Sequence, residues 1–77
     1  MMSEMAWMKA FRQEVMYYMK QQNLNHRDLA DRAGLSYSAV NQYLTEKRIP
    51  TLQAALRISY ALKVDISELV DFGQIIG

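Results

Sequence analysis

Seventy-seven residues with a formal net charge of +1 can bury one small core and leave no room for an enzyme cleft beside its scaffold. A balance so near neutrality gives no general pull towards nucleic acid, so any such role must rest on where charges are placed. The absence of cysteine excludes disulfide stapling and thiolate metal sites, in keeping with a reducing cytoplasm. Glu4, Lys9, Arg12 and Glu14 interrupt the first apolar residues, so neither a signal peptide nor a membrane span is expected. The chain reads as a single domain over 1–77, with its core over 5–70 and an apolar tail over 71–77. The pattern is all-α, since no alternating strand run of useful length occurs.

Helix 1 is expected over about residues 4 to 22, burying Trp7, Phe11, Val15 and Tyr18 at spacings of four, four and three. A second stripe of Met5, Met8, Met16 and Met19 exceeds what that core needs. Asn23 suits the turn that follows. Asn25 then makes a good N-cap, with Asp28 three residues on completing a capping-box-like start to helix 2. Leu29, Ala30 and Ala33 form its apolar face, and Gly34 stands where a chain leaving a helix takes the left-handed conformation. Leu35 turns inward, and Ser36 caps helix 3, whose inner side carries Val40, Tyr43 and Leu44. Two short helices bent around one glycine, with small residues at their crossing, define a helix-turn-helix, a motif that points to DNA.

The outer side of helix 3 is informative. At about 100° per residue, Tyr37, Ser38, Asn41, Gln42 and Thr45 fall in one arc of roughly 140°. No charged residue occurs between Arg32 and Glu46, whereas a solvent-facing helix usually carries Lys or Glu. Hydroxyls and carboxamides suit base edges, because Gln and Asn can pair with adenine and Ser and Thr can donate or accept. Ser38 and Gln42 are therefore the expected base readers, with Tyr37 meeting a base edge, a thymine methyl or a phosphate. His26 and Arg27 open helix 2, where free N–H groups and the positive dipole end favour phosphate. Ser36 and Asn41 are assigned to the DNA backbone. Asp28 and Asp31 lie three apart, but no further histidine or carboxylate completes a metal or acid–base site. Neither metal nor cofactor is expected, and no nucleophile–base pair can be assembled.

Beyond helix 3, Ile49-Pro50-Thr51 stops one element and caps the next. Helix 4, about residues 52 to 62, is expected to bury Leu52, Ala55, Leu56, Ile58, Ser59 and Leu62. Asp65 with Glu68 reads as a capping box for a fifth helix bearing Ile66, Leu69 and Val70. Met16, Met19, Phe72, Ile75 and Ile76 are the candidate dimer interface, as adaptable or apolar residues in excess of one core. Pairing two recognition helices about 34 Å apart would supply the specificity that one lacks.

The stretch LNHRDLADRAGLSYSAVNQYLTEKRIPTL, Leu24 to Leu52, resembles the lambda-repressor-like (Cro/CI-type) helix-turn-helix family, also called the xenobiotic-response-element family. The family pattern is roughly L-S-Q-x-x-L-A-x-x-x-G-(V/L)-S-x-S-x-(I/V)-S-x-(W/Y/I)-x-x-G-K-R-x-P-(S/T)-L. QAALRISYALKVDISEL continues it, similar to the family's fourth and fifth helices, so the resemblance spans about residues 11 to 70. It implies a compact five-helix domain that lays helix 3 in a major groove of double-stranded DNA. The operator would be pseudo-palindromic, bound by a homodimeric bacterial or phage regulator, commonly a repressor, in the cytoplasm. Lys47 and Arg48 then fall in the loop beside the DNA backbone. Four departures stand out: Glu46 and Lys63 where glycines are common, His26 for glutamine, and Met16 and Met19 where arginines are frequent. Low net charge and Glu46 keep open a protein-interaction module, such as an antitoxin or a regulator's partner, and so does the DNA-binding half of a longer repressor.

Overall fold

Phe11, Val15 and Met19 recur every fourth residue along the first helix and face inward, so the sequence period is also the packing period. The computed structural model describes residues 4–70, with side chains from residue 7 onward. Four α-helices follow in order: α1 (Glu4–Gln21), α2 (His26–Ala33), α3 (Tyr37–Leu44) and α4 (Leu52–Leu62). A short 3-10 turn (Ile66–Glu68) ends the described chain, and no strand occurs among the described residues. Phe11, Val15, Leu29, Val40, Leu44, Ile58 and Leu62 are fully buried, so every helix contributes to one core. Trp7 is half-buried and meets Phe11 edge-on, with ring centroids 6.0 Å apart. Tyr18, expected inside, is also half-buried, and its hydroxyl donates to Glu68 at 3.4 Å.

One device closes all four helices. Asn23, Gly34, Glu46 and Lys63 have φ between 58° and 67°, the left-handed conformation of a Schellman C-cap. The N–H of the next residue reaches back five residues each time: Leu24 to Met19 (2.8 Å), Leu35 to Ala30 (3.0 Å), Lys47 to Gln42 (2.9 Å) and Val64 to Ser59 (3.0 Å). Leu24, Leu35 and Val64 pack against the core, the apolar contact that accompanies this motif. After α3 that position is Lys47, which is exposed. The chain therefore leaves α3 outward, while it folds back after the other three.

Helix α4 corrects the expected core. Leu52 and Leu56 are 60% and 41% exposed, and the buried face is Ala54, Ala55, Ile58, Ser59, Ala61 and Leu62. α2 packs chiefly on α4, and Ala30 and Ala33 of α2 share the core with Ala54, Ala55, Ile58, Ala61 and Leu62 of α4. The methionine stripe is corrected too. Met8 and Met19 are 4% and 5% exposed, and Met19 belongs to the core, so it is not a free interface side chain. Met16 alone of the stripe's described side chains stays exposed, while Phe72, Ile75 and Ile76 lie outside the described residues. The expected fifth helix is one 3-10 turn. Asp65 Oδ1 accepts from the Ser67 N–H and hydroxyl, both at 3.1 Å, but Glu68 is taken by Tyr18 and does not close the box.

Candidate nucleic-acid interface

The α2–turn–α3 unit is fixed by three local devices. Asn25 Oδ1 accepts from the Asp28 N–H at 2.8 Å, and Asp28 Oδ2 accepts from the Asn25 N–H at 3.1 Å, a complete capping box. Gly34 makes the left-handed turn at φ 67°. Ser36 Oγ accepts from the Ala39 N–H at 3.0 Å and starts α3. That bond uses the Ser36 hydroxyl as an acceptor and leaves its hydrogen free to donate. Val40, Tyr43 and Leu44 then anchor the inner face at 0–4% exposure.

On the outer face Tyr37, Ser38 and Thr45 are exposed, and Asn41 and Gln42 are half-buried, so the polar arc read from the sequence does turn away from the core. Its members are not all free. Thr45 folds its hydroxyl back to donate to Asn41 O at 2.7 Å. Asn41 Oδ1 faces His26 Nδ1 at 3.2 Å, which ties the first residue of α2 to the middle of α3. The Arg27 guanidinium lies 4.9 Å from the centre of the Tyr37 ring, a cation–π contact that steers both side chains. Arg48 does the same over Tyr43 at 5.7 Å. Arg27, Lys47 and Arg48 are exposed and His26 is half-buried, so cations flank the neutral face at both ends.

Sequence reasoning missed three contributors. Lys20 lines an open groove with Met16, Leu24, His26, Arg27 and Tyr37, adding a cation from α1 beside the start of α2. Its i, i+4 spacing from exposed Met16 was the available signal. Arg12 Nε donates to Leu44 O and so caps the C-terminal carbonyls of α3 from α1. Gln22 Nε2 does the same for α4, donating to Leu62 O at 2.6 Å. α1 and the turn that follows it thus clamp the ends of two helices, one of them the helix that carries the polar face. Glu46 sits just beyond, half-buried, with Oε1 enclosed and without a hydrogen-bond partner among the described residues.

Among the described residues no cluster of histidine, cysteine, aspartate or glutamate could hold a metal ion. No described helix is long and apolar enough to cross a membrane. A capped two-helix unit that presents a neutral hydrogen-bonding face between cations defines a DNA-binding regulator of the helix-turn-helix class. The family profile described as helix-turn-helix matches residues 15–69. The chain belongs to that Cro/CI-type, lambda-repressor-like family, and its all-helical fold agrees. No curated protein and no solved structure gives a significant match to it.

Proposed function

We propose that the chain is a sequence-specific transcriptional regulator, acting as a repressor by laying α3 in a major groove of its operator. The uncharged, outward face of α3 supports this reading, because hydroxyl and carboxamide groups suit base edges and carry no charge to attract phosphate generally. Ser38 and Gln42 read bases, and Tyr37, steered by Arg27, contacts a base edge, a methyl or a phosphate. His26, Arg27, Ser36, Lys47 and Arg48 hold the sugar–phosphate backbone. Such a protein works in the cytoplasm, at the nucleoid of a bacterial or phage-infected cell. Selecting binding sites from a random duplex pool tests the proposal. Recovery of one motif as two inverted half-sites supports it, and recovery of no motif refutes it.

The homodimer reading moves to α4. Leu52, Leu56 and Tyr60 stand at i, i+4 and i+8 with exposures of 60%, 41% and 85%, a continuous apolar face. It runs into a groove lined by Leu56, Tyr60, Lys63, Val64, Asp65 and Ile66. A second copy suits this face, because a self-complementary apolar patch is what a symmetric dimer buries. Sedimentation equilibrium over micromolar concentrations decides: a strict monomer, free and on DNA, refutes the dimer.

A further inference from the structure

The contact between His26 Nδ1 and Asn41 Oδ1, at 3.2 Å, constrains the imidazole as well as the amide. A carboxamide oxygen only accepts, so the ring nitrogen facing it carries a hydrogen. In a neutral imidazole the other nitrogen, Nε2, then has a lone pair and no hydrogen. A lone pair cannot bind a phosphate oxygen, which is itself an acceptor. With the Asn41 amide in this orientation, only the imidazolium keeps the bond to Oδ1 and donates Nε2–H to an anion. We infer that His26 makes a proton-linked contact with a DNA phosphate. Asn41 acts as the positioning residue that makes protonation necessary, and not as a phosphate contact of its own. This rests on the docking of α3 proposed above.

The surroundings allow the contact and isolate its signal. His26 lines the open groove beside the start of α2, together with Lys20 of α1, Arg27 of its own helix and Tyr37 of α3. Asp28 is engaged with the Asn25 backbone in the capping box. Side chains of the lysine, arginine, tyrosine and aspartate types titrate outside pH 6–8, whereas histidine titrates within it. His26 is the one histidine of the chain. A pH dependence of binding that disappears in His26→Gln is therefore assigned to this side chain.

The test is fluorescence anisotropy with a selected duplex and a random duplex, from pH 6 to pH 8 at fixed ionic strength. Wild-type Kd should fall as pH falls, by up to about tenfold per pH unit for one proton. His26→Gln should bind with a flat profile, because a carboxamide N–H donates at every pH. Asn41→Ala should bind at pH 8 at least as tightly as wild type and show a shallower profile, since the released ring can place its hydrogen on Nε2. A flat wild-type profile overturns the proposal, and so does an Asn41→Ala variant weakened equally at every pH. Long-range 1H–15N correlation on the free protein at pH 8 gives a second arm, with the Nδ1–H tautomer expected. Finding Nε2–H there overturns the proposal whatever DNA does. Finding Nδ1–H with no binding to any duplex instead overturns the DNA-docking reading, and the phosphate contact with it.

Discussion

Replacing Glu46 by glycine should make the protein more stable and tighten its hold on DNA. Glu46 has φ 60°, where a side chain costs about 1–2 kcal/mol through the crowding of Cβ. Its Oε1 is enclosed without a partner among the described residues, a cost near the low end of about 1–3 kcal/mol because the residue as a whole is only half-buried. Glycine removes both, and gives back about 0.5–1 kcal/mol in unfolded-state freedom. The net gain is about 1–2 kcal/mol, or very roughly 5–15 °C in Tm for a domain of this size. Glu46→Ala removes the carboxylate and keeps the backbone strain, so it should capture only about half of that gain. Urea unfolding of the three proteins separates the two contributions. If Glu46→Gly is no more stable than Glu46→Ala, the left-handed strain is not there. If neither exceeds wild type, the enclosed oxygen has a partner in solution.

Other expectations can be checked alongside. Gly34→Ala should cost about 1–2 kcal/mol by urea midpoint, because its φ of 67° is strained for any Cβ. The nearest atom to that Cβ would be Arg57 Nη1 at 3.1 Å, the end of a flexible side chain, so adding Arg57→Ala should recover little. Gln42→Ala should cost about 1–3 kcal/mol on the selected site and relax preference at one base position. Equal weakening on random duplex would make Gln42 a phosphate contact. The Ser67 backbone N–H and then its hydroxyl hold the Asp65 carboxyl below its ordinary value of 3.8. Its folded pKa is thus the lower one, so its stabilisation is complete above the unfolded value and lost as pH falls through the folded one. Acid unfolding below about pH 4 should be shallower in Asp65→Asn, an N-cap without a titrating carboxyl.

What could be read from the sequence was local. The capping box of Asn25 and Asp28, the turn at Gly34 and the cap at Ser36 each satisfy backbone groups within five residues, so residue type alone announces them. The two faces of α3 follow from its period. Failures came where a neighbouring element decided the outcome. Leu52 and Leu56 look like core residues, yet α4 turns Ala54, Ala55, Ile58 and Leu62 towards α2 and the core and leaves both outside. Glu68 looks like half of a capping box until Tyr18, fifty residues away in sequence, takes its carboxylate. Arg12 reads as an interruption of an apolar stripe, yet it caps α3 across the fold. Each miss is a long-range contact that outbids a local rule.

The neutral face of α3 makes a partner copy decisive, and Tyr60→Glu tests this. Lys20, Arg27, Lys47 and Arg48 are the exposed lysines and arginines that flank the face. If all four meet phosphates, the slope is about −4 in log K against log salt for one copy, and about twice that for two. One copy reads only a few base pairs, so its preference over random duplex is small. Joining two copies turns the second docking into an intramolecular event and raises affinity by about 10²–10⁴ with no new base contact. Tyr60 is 85% exposed, so glutamate there should leave the fold intact while placing like charges across a two-fold face. The variant should sediment as a monomer, halve the salt slope and lose most of its preference for the inverted-repeat site. A monomeric Tyr60→Glu protein that binds that site as tightly as wild type would show that one neutral helix suffices. A dimeric one would place the interface elsewhere than α4.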